Sequence, residues 1–121
     1  MLYLAGPYSH PDPDVRQRRF VEHCIAAAKL ADLDRWPIFS PIAHGHALCE
    51  TGGLMRLDHE FWMRQCLPFL RNADALIVLS SEGWRHSKGT QAEIEEAEAC
   101  GIPVYRWCGN DAEVIADLLE G

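Results

Sequence analysis

The sequence predicts an α/β fold, a three-layer sandwich in which a parallel sheet of four to five strands lies between helices. Three observations carry that expectation. Short apolar runs alternate with helix-length amphipathic segments along the chain. The run Ala75-Leu76-Ile77-Val78-Leu79 is apolar at every position, as a central parallel strand covered on both faces has to be. Successive runs are separated by connections of crossover length. With 121 residues, 48% of them hydrophobic, one core is expected, and so a single domain over residues 1–121.

Taken in order, Leu2–Ala5 reads as a buried strand, closed by the turn residues Gly6-Pro7 and a loop to Pro11. Asp12 is placed as an N-cap with Pro13 at the first helical position, where its missing N–H costs nothing. Phe20, Cys24, Ala27, Ala28 and Ala31 then recur at helical spacing to about Leu33. Trp36–Ile42 is a proline-bounded second strand, and Ala43 to about Leu54 a long irregular loop. A helix over about 56–72 follows, interrupted by Pro68. After the 75–79 strand and a loop over 80–86, a helix runs from about Ser87 to Cys100, with Gly101 as its C′ residue. Ile102–Trp107 is the last strand and 111–119 a closing helix.

Composition narrows the function classes. A formal charge of −7 disfavours a nucleic-acid polymer as partner, which needs a broad basic face. Arg16, Arg18 and Arg19 form the one dense basic cluster, enough for a small anion. Five scattered cysteines without a CxxC pair predict reduced thiols, mostly packed as small apolar core residues. No stretch reads as a signal peptide or membrane span, so the expected location is cytoplasmic, away from any membrane.

In a parallel sheet, ligands bind beyond the carboxyl ends of the strands, which draws attention to the loops at 6–11, 40–54 and 80–90. The segment Ser87-Lys88-Gly89-Thr90 opens a helix. Its free amides and dipole suit a phosphate, with an arginine such as Arg19 assisting; simple capping by Ser87 is the competing explanation. Glu93 falls on that helix's inward stripe with Thr90, Ile94, Ala97, Cys100 and Gly101, whereas Glu95 and Glu98 face solvent. A carboxylate on an inward face implies either catalysis or a structural hydrogen bond or ion pair. Tyr3, Gly6, Tyr8 and Ser9 surround the first strand's end, with Gly6 where a ligand would approach the backbone. Ser40, His44 and His46 lie in a stretch that can contact a base or sugar. Trp62 and Trp84 can each stack on a base or pack in the core. His44, His46 and Cys49 lack a fourth ligand at metal-binding spacing, so neither metal nor cofactor is expected.

Together the segments at residues 3–9 (YLAGPYS), 39–46 (FSPI-x-H-x-H) and 83–93 (GW-x-x-S-x-G-x-x-x-E) resemble the nucleoside 2-deoxyribosyltransferase superfamily, including its nucleotide N-hydrolase branch. The resemblance spans about residues 2–107. It implies a flavodoxin-like, Rossmann-like fold, a homodimer or larger assembly, and cleavage or exchange of the N-glycosidic bond of a nucleoside or nucleotide. Glu93 matches the family's nucleophile and Tyr3 the tyrosine that orients it. Ser87 and Gly89 match the elements that bind the substrate's 5′ end, and Gly6 the glycine that gives the sugar room. Where the family commonly carries an aspartate that helps protonate the leaving base, this chain has Cys66. That departure implies a slow or specialised enzyme, or a non-catalytic nucleotide-binding or sensing module.

Overall fold

The computed structural model describes residues 1–121 as an α/β fold with a four-stranded, all-parallel sheet and five α-helices. The elements are β1 (Leu2–Ala5), α1 (Pro13–Asp32), β2 (Ile38–Phe39), α2 (Pro41–Glu50), α3 (His59–Arg71), β3 (Ala75–Leu79), α4 (Lys88–Ala99), β4 (Val104–Trp107) and α5 (Glu113–Glu120). The strand order β2-β1-β3-β4 is that of a flavodoxin-like three-layer sandwich. Tyr3 pairs in register with Phe39 on one side and Leu76 on the other. Because β2 and β3 flank β1, the order in which strands are added reverses between β1 and β3, and a crevice opens at their carboxyl ends.

Alternation along the strands divides the core in two. Leu2, Leu4, Ala75, Ile77 and Leu79 point to one face, where Ala26 and Leu30 of α1 and Ile115 of α5 cover them. Tyr3, Ala5, Leu76 and Val78 point to the other, beneath Cys66 and Leu70 of α3 and Ala97 of α4. Truncating a fully buried leucine such as Leu4 to alanine would cost about 2–5 kcal/mol.

The irregular stretch expected after residue 42 is instead helical. Ser40 caps α2, its Oγ accepting from the amide of Ala43 (3.2 Å), and Pro41 occupies the first helical position. The second strand accordingly shrinks to Ile38–Phe39. Gly45, which read as a loop residue, is packed tightly inside the helix. A Cβ there would lie 3.1 Å from the Trp62 ring. α3 starts at His59 rather than near 56, because the Asp58 carboxylate caps the amide of Phe61. Pro68 sits within α3, and the loop after β3 contains a 3₁₀ turn at Trp84–His86.

The cysteines depart from expectation too. Only Cys66 is buried; Cys24 and Cys49 are half-buried, while Cys100 and Cys108 are exposed. Cys100 and Gly101 lie at the solvent end of α4, so the buried residues of that helix are Thr90, Glu93 and Ala97. No helix is long and apolar enough to cross a membrane.

Candidate active site

A cleft of about 410 Å³ opens at the carboxyl ends of β1 and β3, a volume suited to a small organic ligand. The turn after β1 supplies Gly6, Tyr8 and Ser9, α2 supplies His46, α3 supplies Trp62 and Cys66, and the start of α4 supplies Ser87, Gly89, Thr90 and Glu93. Ten residues singled out from sequence thus share one cavity, though they come from four separate parts of the chain.

Glu93 is 7% exposed. Its Oε2 accepts a hydrogen bond from the Tyr3 hydroxyl, which reaches it from β1 behind the cleft. Burial pushes the Glu93 carboxyl up to about 7, and the Tyr3 hydrogen bond opposes that rise. Tyr3 is fully buried, and burial first, then the adjacent Glu93 charge, drive its pKa far above the ordinary phenol value. The phenol therefore stays neutral and acts as a donor. Cys66 faces the same pair, and burial followed by the Glu93 charge lifts its thiol to about 11. A neutral thiol is a weak donor and a poor proton source at neutral pH.

The start of α4 is shaped by Ser87, whose Oγ accepts from the Thr90 amide (3.2 Å) and the Thr90 hydroxyl (2.9 Å). Thr90's amide is therefore committed to the cap. The first-turn amides of Lys88 and Gly89 are the ones without intrahelical partners. A Cβ at Gly89 would meet open space, so the fold does not demand glycine there. Gly6 is the reverse. Its Cβ would lie 2.6 Å from His23 Cε1, so packing of the buried His23 ring, rather than ligand approach, excludes a side chain.

Four expected residues stand off the cleft. His44 is exposed on α2 beside the Phe39 ring, because two residues along a helix rotate a side chain about 200° away from His46. Ser40 serves as the α2 cap, and Arg19 donates to the carbonyls of Ser9 (3.0 Å) and Tyr8 (3.3 Å), bracing the turn from outside. Trp84 lies under the guanidinium groups of Arg85 and Arg106, away from the cavity.

Sequence reading missed Ile42, Leu57, His59, Met63, His86 and Lys88, all of which line the cleft. The α2 residue Ile42 was hidden by the absence of a predicted helix. His86 and Lys88 flank the highlighted Ser87 and could have been included. The walls are apolar at Pro41, Ile42, Trp62 and Met63, where a flat ring can lie, and polar at Ser87, Lys88 and Glu93. No three His, Cys, Asp or Glu side chains cluster closely enough to hold a metal ion.

No curated protein matches the chain. A family model described as "Domain of unknown function (DUF1937)" matches residues 1–109, a span that contains every residue lining the cleft. On that match, which covers nearly the whole chain, the protein belongs to the DUF1937 family.

Proposed function

We propose that the protein cleaves or exchanges the N-glycosidic bond of a nucleoside or nucleoside 5′-monophosphate, with Glu93 as nucleophile. The observation that carries this reading is the Glu93 carboxylate, buried at the floor of a nucleoside-sized cleft with one oxygen held by Tyr3. Tyr3 fixes Oε2, leaving Oε1 without a protein donor to attack the anomeric carbon of the sugar. The base departs with the bonding electrons, and a glycosyl ester of Glu93 remains. Water, or a second base, then attacks the same carbon and frees the carboxylate, as in a retaining glycosidase. The amides of Lys88 and Gly89, with the Ser87 hydroxyl, suit a 5′-phosphate at the positive end of α4. The apolar wall at Ile42, Trp62 and Met63 suits a base.

A second reading, a non-catalytic nucleotide-binding or sensing module, is favoured by Cys66. It lines the cleft where the nucleoside 2-deoxyribosyltransferase resemblance leads one to expect a carboxyl group. Incubation with a panel of nucleosides and 5′-monophosphates separates the two. Free or exchanged base supports the enzyme; a raised melting temperature with no base release supports the binder. Neither effect with any member of the panel would contradict both.

A further inference from the structure

His46 is 6% exposed, yet both of its ring nitrogens are engaged. Nε2 lies 3.0 Å from Gln17 Oε1, a carbonyl oxygen that can only accept, so Nε2 carries a proton and donates it. Nδ1 lies 2.7 Å from the Tyr8 hydroxyl. The Phe20 ring stacks on the imidazole, with centroids 4.0 Å apart and planes 17° from parallel. Three side chains thus hold one histidine in one orientation. Tyr8 and His46 both line the cleft that contains Glu93.

We infer that Gln17, His46 and Tyr8 form a proton relay for the base that leaves and the water or base that replaces it, with Tyr8 as the catalytic residue. This rests on the N-glycosidic reading above, and it names the acid that Cys66 cannot be. In the acidic form, His46 Nδ1–H donates to the Tyr8 oxygen while Tyr8 O–H points to the leaving nitrogen. As Glu93 Oε1 bonds to the anomeric carbon, the carbon–nitrogen bond breaks and its electron pair goes to the base. The base takes the Tyr8 proton, and Tyr8 takes the Nδ1 proton of His46. In the second half, water attacks the anomeric carbon and the Glu93 ester bond breaks. The water proton passes to Tyr8 as the Tyr8 proton returns to His46 Nδ1. Protons balance over one turnover without another co-reactant.

Gln17 and His46 act through Tyr8 and are positioning residues. The Gln17 carbonyl fixes the ring through Nε2 and leaves Nδ1 turned to Tyr8. Other charged or titratable groups surround the relay. Arg16 and Arg19 approach Tyr8 from α1, and Cys49 and Glu50 from α2. Glu93, His59, His86 and Lys88 share the cleft. Burial is the largest influence on the Tyr8 phenol and raises its pKa, so it passes protons rather than resting as a phenolate.

The test compares two substrates. An ordinary purine 5′-monophosphate needs a proton on its leaving base, whereas its N7-methylated counterpart carries a positive charge and leaves unaided. Tyr8→Phe should lose about 10²–10⁴-fold in kcat on the first, the usual worth of general-acid assistance, and little on the second. His46→Gln should behave alike, and Glu93→Gln should lose both substrates. The parent should show an alkaline fall in kcat on the ordinary nucleotide that is absent with the methylated one. Gln17→Leu should lower kcat on the ordinary nucleotide with KM unchanged and spare the methylated one, which loss of packing alone would not do. Equal losses on the two substrates in Tyr8→Phe, or no loss on either, would overturn the relay while leaving Glu93 chemistry standing. A parent inactive on both would instead remove the N-glycosidic reading, and the relay with it.

Discussion

The Tyr3 hydroxyl on β1 donates to Glu93 Oε2 on α4, so residues 90 positions apart form one buried pair beneath the cleft. The strand sets where the donor stands, and the helix sets where the acceptor arrives. One carboxylate oxygen is thereby fixed and the other left without a protein donor.

Glu93 titrates higher in the folded protein, at about 7, than its ordinary value of 4.5. Between those two pH values the native state binds more protons than the unfolded state, so stability falls as pH rises through the window. At pH 8 the full cost applies, about 3 kcal/mol. Glu93→Gln should therefore be more stable than the parent at pH 8 and should lose this pH dependence. Urea unfolding midpoints at pH 5 and pH 8 check it, and an unchanged slope for the variant would contradict the buried-carboxylate description. For activity, the acidic limb of kcat/KM should lie near pH 7 and move upward in Tyr3→Phe, which removes the hydrogen bond holding the ionised form.

His23 works with the opposite sign. It is fully buried, neither ring nitrogen has a hydrogen-bond partner, and burial lowers its pKa from 6.5 to about 4. The unfolded chain takes up a proton below 6.5 that the native state refuses until about 4. Stability is thus complete above 6.5 and is lost as pH falls through that window, by about 3 kcal/mol. His23→Leu should flatten this acid limb in denaturant titrations between pH 4 and 7. An identical acid limb in parent and variant would show that another group controls it.

Gly89 offers a variant in which stability and binding part company. Its Cβ direction is empty, and Gly89 is helical, so alanine should stabilise the fold by about 0.4–1 kcal/mol. The added methyl would crowd a phosphate at the first turn of α4. Calorimetric titration should show weaker binding of a nucleoside 5′-monophosphate and a smaller change for the nucleoside. Unchanged 5′-monophosphate binding would place the phosphate elsewhere.

Cys66→Asp should add base release from ordinary nucleotides, since a carboxyl beside Glu93 can be held protonated by its charged neighbour and act as an acid. The gain should be largest in a Tyr8→Phe background and vanish when Glu93→Gln is added. If Cys66→Asp alters turnover in no background, the cleft position of residue 66 has no part in base departure.

The residues that could be read from sequence share a feature: their signals are local. The 75–79 run, the Asp12-Pro13 helix start and the inward spacing of Glu93 each lie within one element. The α2 helix shows what obscures such signals. Ser40-Pro41 is a helix opening, yet Gly45 and the nearby Gly52-Gly53 gave the stretch the look of a loop. What packs closely against Gly45 is Trp62, on another helix. With α2 unrecognised, His44 and His46 looked equivalent, although helical rotation puts one in solvent and the other in the cleft. The Gln17–His46–Tyr8 chain was equally beyond reach, because it forms only when α1, α2 and the β1 turn converge.

The proposed role of Glu93 as nucleophile is tested most directly by stopping the reaction with acid during turnover and weighing the protein. A nucleotide with fluorine at the sugar 2′ position slows breakdown of the glycosyl ester and lets it accumulate. The predicted result is a protein heavier by the fluorinated glycosyl group, with the added mass mapped to the peptide containing Glu93 and absent from Glu93→Gln. Release of base at parental rates by Glu93→Gln, with no adduct on the parent protein, would contradict it.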